Sequence, residues 1–438
     1  MAPKSRTVTA KSLQALLTRI GARSSGTKAV LHQRLRHELH QSRLFIRHPT
    51  WQKSRPTTDQ KLRIMSIDMG IKNLAFCEAE ISWPVKDSLN ATMHVLRWEK
   101  MDLVGSRDGI PGSEVGESES ESESESESES ESEGRVMGEA DDDDDVDVVD
   151  AYSLNILSKT AYGLVKNTIL AASPDVILIE KQRWRSGGGS AVQQWTLRVN
   201  TLEGMLWAIL QTMYSERLIT RNKKAGEDKE KLFNVFGVDP KRVGMYWLGE
   251  QGIALTESAS SSSSSSTKQT PPPPPATAQD TTTPPTTPNK KPPRSKAEKS
   301  AKITLLRTWL SASPPSTAST NTNSTTPSLT FNISPQARAT QQALCSPKKK
   351  KKTPRRRKDD GDAREQVIGP TEMKKLDDIT DCFLQAAAWV SWEGNRLQLC
   401  GVLEGMKNGN GKEGEVKGKE DELDEGFLGE MVGVLRGK

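Results

Sequence analysis

Three short stretches put carboxylates where their neighbours argue for burial. In Ile64-Met-Ser-Ile-Asp-Met-Gly-Ile-Lys-Asn-Leu-Ala-Phe76, Asp68 closes an apolar run and precedes a glycine turn. In Asp175-Val-Ile-Leu-Ile-Glu180, a run opened by Pro174 stops on Glu180 and leads into Lys181-Gln-Arg-Trp-Arg185. In Leu376-Asp-Asp-Ile-Thr-Asp-Cys-Phe-Leu-Gln-Ala-Ala-Ala-Trp389, the acids Asp377, Asp378 and Asp381 fall in the first turns of a helical pattern. A carboxylate at the end of a buried strand is costly unless something pairs with it. Residues three or four apart share a helix face, so Asp381 can point the same way as either Asp378 or Asp377. Two unit charges about 4 Å apart repel by roughly 4 kcal/mol at an effective dielectric near 20. Carboxylates gathered from these three stretches therefore need a divalent cation or a shared proton.

The elements that must position them follow from periodicity. Leu62 to Ile67 and Leu74 to Ile81 read as two strands of a hairpin closed through Gly70, and Met93 to Met101 reads as a third strand. Tyr152 to Ala172 has helical spacing and stops before Pro174, delivering the strand that carries Glu180. After Gly187 to Gly189, Val192 to Tyr214 reads as an amphipathic helix whose Trp195, Leu202, Leu206 and Trp207 are expected in the core. Lys241 to Leu248 is expected to form a further short strand, Ala297 to Leu310 a helix, and the Asp-bearing stretch the last helix. Near the N-terminus, Leu13 to Ile20 and Lys28 to Leu39 form two short amphipathic patterns. Gly21 ends the first and Ser and Thr open the second, which predicts a small helical pair.

Composition bounds the ordered part. The chain has 438 residues, of which 34% are hydrophobic and 5% aromatic, and the deficit lies in a few biased tracts. Glu-Ser alternation from about 117 to 133, Asp141 to Asp145, a Ser/Thr/Pro tract from about 255 to 293 and the basic run within 347–358 cannot bury a core. The predicted organisation is a helical module over 1–45 and a main domain over 60–399. Insertions without order are expected near 105–149, 255–295, 311–330 and 345–365, with a disordered tail over 403–438. The net charge of +5 hides blocks of opposite sign and fits a polyanionic partner. Cys77, Cys345, Cys382 and Cys400 make no zinc spacing and read as reduced thiols, which points away from secretion. No apolar run is long enough for a bilayer, so no membrane partner is expected. The first 37 residues lack acids and carry Lys and Arg, which suits a mitochondrial presequence and equally a nucleic-acid-binding module; the basic run is the argument for the nucleus as the alternative compartment.

The order strand, strand, strand, helix, strand, helix, strand, helix, with acids on the first strand, the fourth strand and the last helix, resembles the ribonuclease H-like layout: an α/β fold with a mixed sheet flanked by helices. Asp68-x-Gly70 with Lys72-Asn73 and Ala75 looks like its RuvC-type resolvase branch. Ile179-Glu-Lys-Gln-Arg-Trp-Arg-Ser-Gly187 and Lys374-Lys-Leu-Asp-Asp-Ile-Thr-Asp-Cys-Phe-Leu-Gln385 are similar to the fungal mitochondrial Holliday junction resolvases. The Leu13-x-x-Leu-Leu17 start, the Ser25-Gly26-Thr27-Lys28 link and Leu31-x-x-x-Leu35 resemble the DNA-binding SAP motif. The resemblance covers residues 11–40 and the ordered parts of 60–399. It implies a homodimer that nicks a four-way DNA junction symmetrically with Mg²⁺ or Mn²⁺, two per active site. Asp68, Glu180, Asp381 and one of Asp377 or Asp378 are then the ligands, with Asp378 favoured by its Asp-x-x-Asp spacing. Such a cluster activates water at one ion and steadies the departing 3′ oxygen at the other, and oxygen ligands favour Mg²⁺ over zinc. Lys72, Lys181, Arg183 and Arg185 beside the acids, and Lys28, Arg34 and Arg36 in the SAP-like module, become the phosphate contacts.

Two other classes are compatible with parts of the pattern. A sugar-kinase or actin-like phosphotransferase also opens on Asp-x-Gly in a strand hairpin, but it needs a second phosphate loop and a glycine-rich adenosine site that the sequence lacks. A non-catalytic junction-binding or DNA-packaging protein would keep the basic elements and treat the acids as structural. Retention of every acid argues against it, because unneeded buried carboxylates are liabilities.

Overall fold

A computed structural model of the chain describes residues 8–39, 61–83, 89–104, 152–182, 194–223, 231–249, 294–311, 328–346, 376–409 and 425–435. Its centre is a six-stranded mixed sheet built from β1 (Lys61–Asp68), β2 (Leu74–Ser82), β3 (Ala91–Met101), β4 (Val176–Glu180), β5 (Asn234–Val238) and β6 (Leu329–Ile333). The spatial order is β5-β4-β1-β2-β3-β6. β1, β2 and β3 form an antiparallel meander, β4 and β5 add in parallel on the β1 side, and β6 adds in parallel beyond β3. This is the expected α/β layout of the ribonuclease H-like kind, with β6 as an additional edge.

Alternation along the strands divides the core into two layers. Leu62, Ile64, Val176 and Leu178 face one layer, and Met65, Ile67, Ile177 and Ile179 face the other. β3 carries a bulge: Glu78 lies opposite Arg97 but Ala79 lies opposite Val95, so Leu96 is an extra residue. The bulge lets Val95 and Trp98, three apart, face the same layer.

The second layer is covered by α3 (Leu154–Gly163), its π-helical continuation Leu164–Ile169, and α4 (Gln194–Lys223). The first is covered by α5 (residues 240–249), α6 (Arg294–Ser311), α7 (Arg338–Cys345) and above all α8 (Leu376–Gly409). Two tryptophans fix α8 through its backbone: Trp98 Nε1 donates to the Ile379 carbonyl at 2.8 Å and Trp247 Nε1 to the Leu384 carbonyl at 3.0 Å. Among the described residues no helix is long and apolar enough to cross a membrane.

Two expectations need correction. Lys241 to Leu248 is helical, not a strand; Asp239 Oδ1 accepts from the Lys241 amide at 2.9 Å and Pro240 opens the helix, a start signal that outweighs the short apolar alternation. The fifth strand is instead the glycine-containing Asn234–Val238 just before it. The tail is not wholly without order, because α8 continues to Gly409 and α9 (Glu425–Leu435) buries Leu428 and Met431; the Gly, Lys and Glu content of 403–438 concealed that short apolar stripe. The insertions expected at 105–149 and over most of 255–295, 311–330 and 345–365 lie outside the described residues.

The N-terminal pair α1 (Ala10–Arg19) and α2 (Lys28–Leu39) forms as expected, and Leu13, Leu16, Leu17, Ile20, Leu31, Leu35 and Leu39 are buried. They share their core with Leu399 of α8 and with Leu428 and Met431 of α9. Residues 8–39 are thus packed structure. α1 ends in a Schellman turn: Gly21 has φ +67°, its amide donates to Thr18, and the Ala22 amide donates to Leu17.

A Cβ built on Gly21 would stand 2.2 Å from the Trp392 ring, and the left-handed backbone adds its own penalty. Gly21→Ala is expected to cost about 1–3 kcal/mol. Gly204, on α4, has nothing within 4 Å of an added Cβ, and Gly204→Ala should be neutral or stabilise by up to about 1 kcal/mol. Thermal melts of the two variants beside the parent check the docking, and an unchanged melt for Gly21→Ala would contradict it.

Candidate active site

β1 and β4 run parallel with Ile64 beside Val176 and Ile67 beside Ile179. One residue further, both strands end on acids, Asp68 and Glu180. Alternation places these on the face of Ile64, Leu178 and α8. Besides burial, hydrogen-bonding contact with Glu180 is one cause of the raised Asp68 pKa. Asp68 is 9% exposed. Burial first, then repulsion from Glu180 and Asp381, the bond to Glu180 and repulsion from Asp378 hold its carboxyl well above the usual aspartate range. Four acids from three distant stretches thus share one region.

α8 brings its contribution in helical register. Asp378, Asp381 and Gln385 are spaced three and four apart and share a face. Gln385 is buried, and its Nε2 donates to the carbonyls of Ile67 and Leu178, each at 3.3 Å. Asp377 is paired with α6, Lys299 Nζ lying 2.5 Å from its Oδ2, and its charge still raises the Asp381 pKa. One turn along α6, Lys302 is 7% exposed, with Nζ 3.0 Å from Asp381 Oδ1. Burial alone would lower the Lys302 pKa, but Asp381, Glu298 and Glu180 outweigh it and the net shift is upward. Asp381 is raised mainly by burial, with Lys302 opposing. Lys299, Lys302 and Gln385 are functional candidates that the sequence reading did not single out. The lysines lie far from the acids along the chain, whereas the i, i+4 spacing of Gln385 from Asp381 was a signal in plain view.

The basic candidates divide. Lys72 and Lys181 are exposed beside the acid-bearing strand ends. The Lys181 stem lies over Gly237 of β5, where an added Cβ would come within 2.4 Å of Lys181 Cε. Glu203 of α4 holds the start of the following loop, its Oε2 accepting from the Gln182 amide at 3.1 Å. Arg183 and Arg185 lie outside the described residues. In the N-terminal module Lys28 is exposed and Arg36 half-buried. Arg34 Nη1 donates to the carbonyls of Arg23 and Ser25 at 2.6 and 2.8 Å, so it clasps the turn between the helices.

Among the described residues no three His, Cys, Asp or Glu side chains already converge on a single point at ligand distance. The donor chemistry nonetheless suits hard divalent cations: all four groups are carboxylates, and the mutual repulsion that raises the Asp68 pKa is what a bound cation would relieve.

Comparison with known proteins agrees with this geometry. The profile of a family described as "Mitochondrial resolvase Ydc2 / RNA splicing MRS1" (Ydc2-catalyt) matches residues 64–399, about three quarters of the chain. The mitochondrial cruciform cutting endonuclease 1 of Schizosaccharomyces pombe is 39% identical over 75 residues, 17% of this chain and 26% of that protein, so the chain spans about a quarter of that relative's length. The crystal structure of the yeast mitochondrial Holliday junction resolvase Ydc2 aligns over 91% of this chain and 99% of its own, at 16% identity and a TM-score of 0.42. That score is too low to add an argument of its own.

The raised Asp68 carboxyl has a pH signature. A carboxyl whose pKa is raised on folding keeps its proton where the unfolded chain has lost it, so its contribution to stability is present at low pH and is lost as pH rises through the folded value. In chelator, Asp68→Asn should therefore melt above the parent at about pH 8 and approach it at about pH 5. A melting difference that does not change between the two pH values would rule out the raised Asp68 pKa.

Proposed function

We propose that this chain, which belongs to the mitochondrial resolvase Ydc2 / RNA splicing MRS1 family, is a structure-selective endodeoxyribonuclease that resolves four-way DNA junctions in mitochondria by metal-dependent phosphodiester hydrolysis. The observation that carries the reading is the meeting of Asp68, Glu180, Asp378 and Asp381 at the ends of β1 and β4 under the first turns of α8.

Asp68, Glu180, Asp378 and Asp381 would hold the cation, Mg²⁺ or Mn²⁺, with two in each site as the resemblance implies. When bound, divalent cations lower the pKa of an attacking water and neutralise charge on the departing 3′ oxygen. The protein's own part is positional. Strand ends fix Asp68 and Glu180, and the packed helix fixes Asp378 and Asp381. Lys299 pairs with Asp377, whose charge still acts on Asp381, while Asp378 acts on Asp68; Asp378 is kept as the fourth ligand on its Asp-x-x-Asp spacing. Lys302 partly balances the negative charge at Asp381 while the carboxylates are close. Exposed Lys72 and Lys181 flank the acids and suit phosphate contacts that do not read bases, as do Arg183 and Arg185 in the sequence. Lys28 and Arg36 remain candidates for backbone contacts from the SAP-like module, while Arg34 already serves the turn. A four-way junction presents two equivalent strands, so paired nicks call for two active sites related by a two-fold axis, which favours a homodimer.

The family description also spans an RNA-splicing protein, so a chain that binds structured nucleic acid without cutting it is the competing reading. Synthetic four-way junctions and linear duplex, incubated side by side with Mg²⁺, separate the two. The parent should nick the junction. Asp68→Asn and Asp378→Asn should each lose at least about a thousandfold in rate while junction binding survives, and Asp377→Asn should lose less than about tenfold. A parent that binds the junction and leaves it whole would overturn the nuclease reading in favour of binding alone.

A further inference from the structure

The geometry points to Gln385 as the positioning residue that sets the spacing of the acidic cluster, through one carboxamide that ties together all three acid-bearing elements. This rests on the reading of the cluster as a metal-dependent nuclease site. Asp68 belongs to β1, Glu180 to β4 and the remaining acids to α8. Gln385 is rooted in α8 one turn beyond Asp381, and its Nε2 reaches the Ile67 carbonyl beside Asp68 and the Leu178 carbonyl two residues before Glu180. A primary amide has two N–H donors on one nitrogen, and a strand carbonyl has a second lone pair free of its ladder bond, so one side chain can bridge adjacent parallel strands. A hydroxyl offers a single donor, and a carboxylate offers none.

The consequence is geometric. Apolar packing of Phe383, Ala386 and Ala387 presses α8 onto the sheet, but such contacts are non-directional and tolerate small slides along the helix axis. Two hydrogen bonds to fixed carbonyls do not. They set how far Asp381 and Asp378 stand from the strand ends, and a ligand shell loses affinity or rate when its supporting hydrogen bonds are removed, by about 10–100-fold in characterised metal sites.

The test uses the full chain. Mn²⁺ binding to DNA-free protein is followed by titration calorimetry, with Asp68→Asn as the blank that removes heat from the acidic run at 141–145 and other adventitious sites. Gln385→Met keeps length and removes both donors. It should weaken Asp68-dependent Mn²⁺ binding by about tenfold and slow single-turnover junction cleavage by about 10–100-fold, with junction affinity unchanged. Leu399→Ala, a cavity at the far end of α8, should lower stability and leave Mn²⁺ affinity alone, which separates positioning from loss of stability. If Gln385→Met does not fold, Gln385→Asn serves: its amide is one methylene too short for both carbonyls and should show the same two losses. A folded Gln385→Met or Gln385→Asn that binds Mn²⁺ and cuts like the parent overturns the role of Gln385 alone. A parent with neither Asp68-dependent Mn²⁺ heat nor cutting overturns the nuclease reading, and this one with it.

Discussion

The structure depends on seating α8 across β1 and β4 although its first turns carry charge that repels the strand ends beneath. Each pair of unpaired carboxylates at about 4 Å costs roughly 4 kcal/mol at an intermediate dielectric, so the cluster cannot be what holds the helix down. The opposing contribution comes from the next three turns. Ile379, Cys382, Phe383, Leu384, Ala386, Ala387, Ala388, Trp389, Val390 and Trp392 are all buried. The three consecutive alanines keep that stretch slim, which permits close approach to the sheet. Trp98 and Trp247 then spend their indole N–H groups on α8 carbonyls, so bulky residues are buried without leaving those donors unmet. A well-packed helix can carry an electrostatically unfavourable end, and this one does.

How far this was legible in the sequence depends on the range of the interactions concerned. Asp68 and Glu180 stood out because a β-branched or aliphatic run that stops on an acid is a local signal, and the sheet places both on the face predicted by alternation. The acids of α8 were legible as a set but not individually. Asp377 and Asp378 are adjacent, and the partner of Asp377 is Lys299, 78 residues earlier, a pairing that no local pattern announces. Burial of a lysine against Asp381 has no sequence signature, since Lys302 sits in a helix that carries several other charged residues. β5 and β6 escaped because five-residue strands with glycine or alternating polar residues fall below what periodicity can detect, and only their neighbours in the sheet stabilise them.

The N-terminal module shows how the same helix joins two parts of the fold. The last carbonyls of α1 are met by the main domain: Asn395 Nδ2 donates to Arg19 at 2.9 Å, Arg396 Nη2 to Ile20 at 2.8 Å, and Arg242 Nη1 of α5 to Gly21 at 3.1 Å. Arg396 also pairs with Glu393, and lies 3.9 Å from Glu38 of α2, so a buried cation sits at the negative end of the α1 dipole with carboxylates around it. Below this polar seam, Leu399 of α8 enters the same apolar cluster as α1, α2 and α9.

The module is therefore not a bead on a string. Its orientation is set by side chains of α8 and α5, whatever the conformation of residues 40–60. Arg396 lies fifteen residues beyond Asp381 on one continuous helix, a separation of about 22 Å at 1.5 Å per residue. A nucleic-acid contact made by α2 would thus stand at a fixed offset from the acidic cluster, because α8 has no joint between them. The same coupling makes residues 8–39 part of the fold. Without α1 and α2, Leu399, Leu428 and Met431 would lose their cover, and α9 would have little left to pack against.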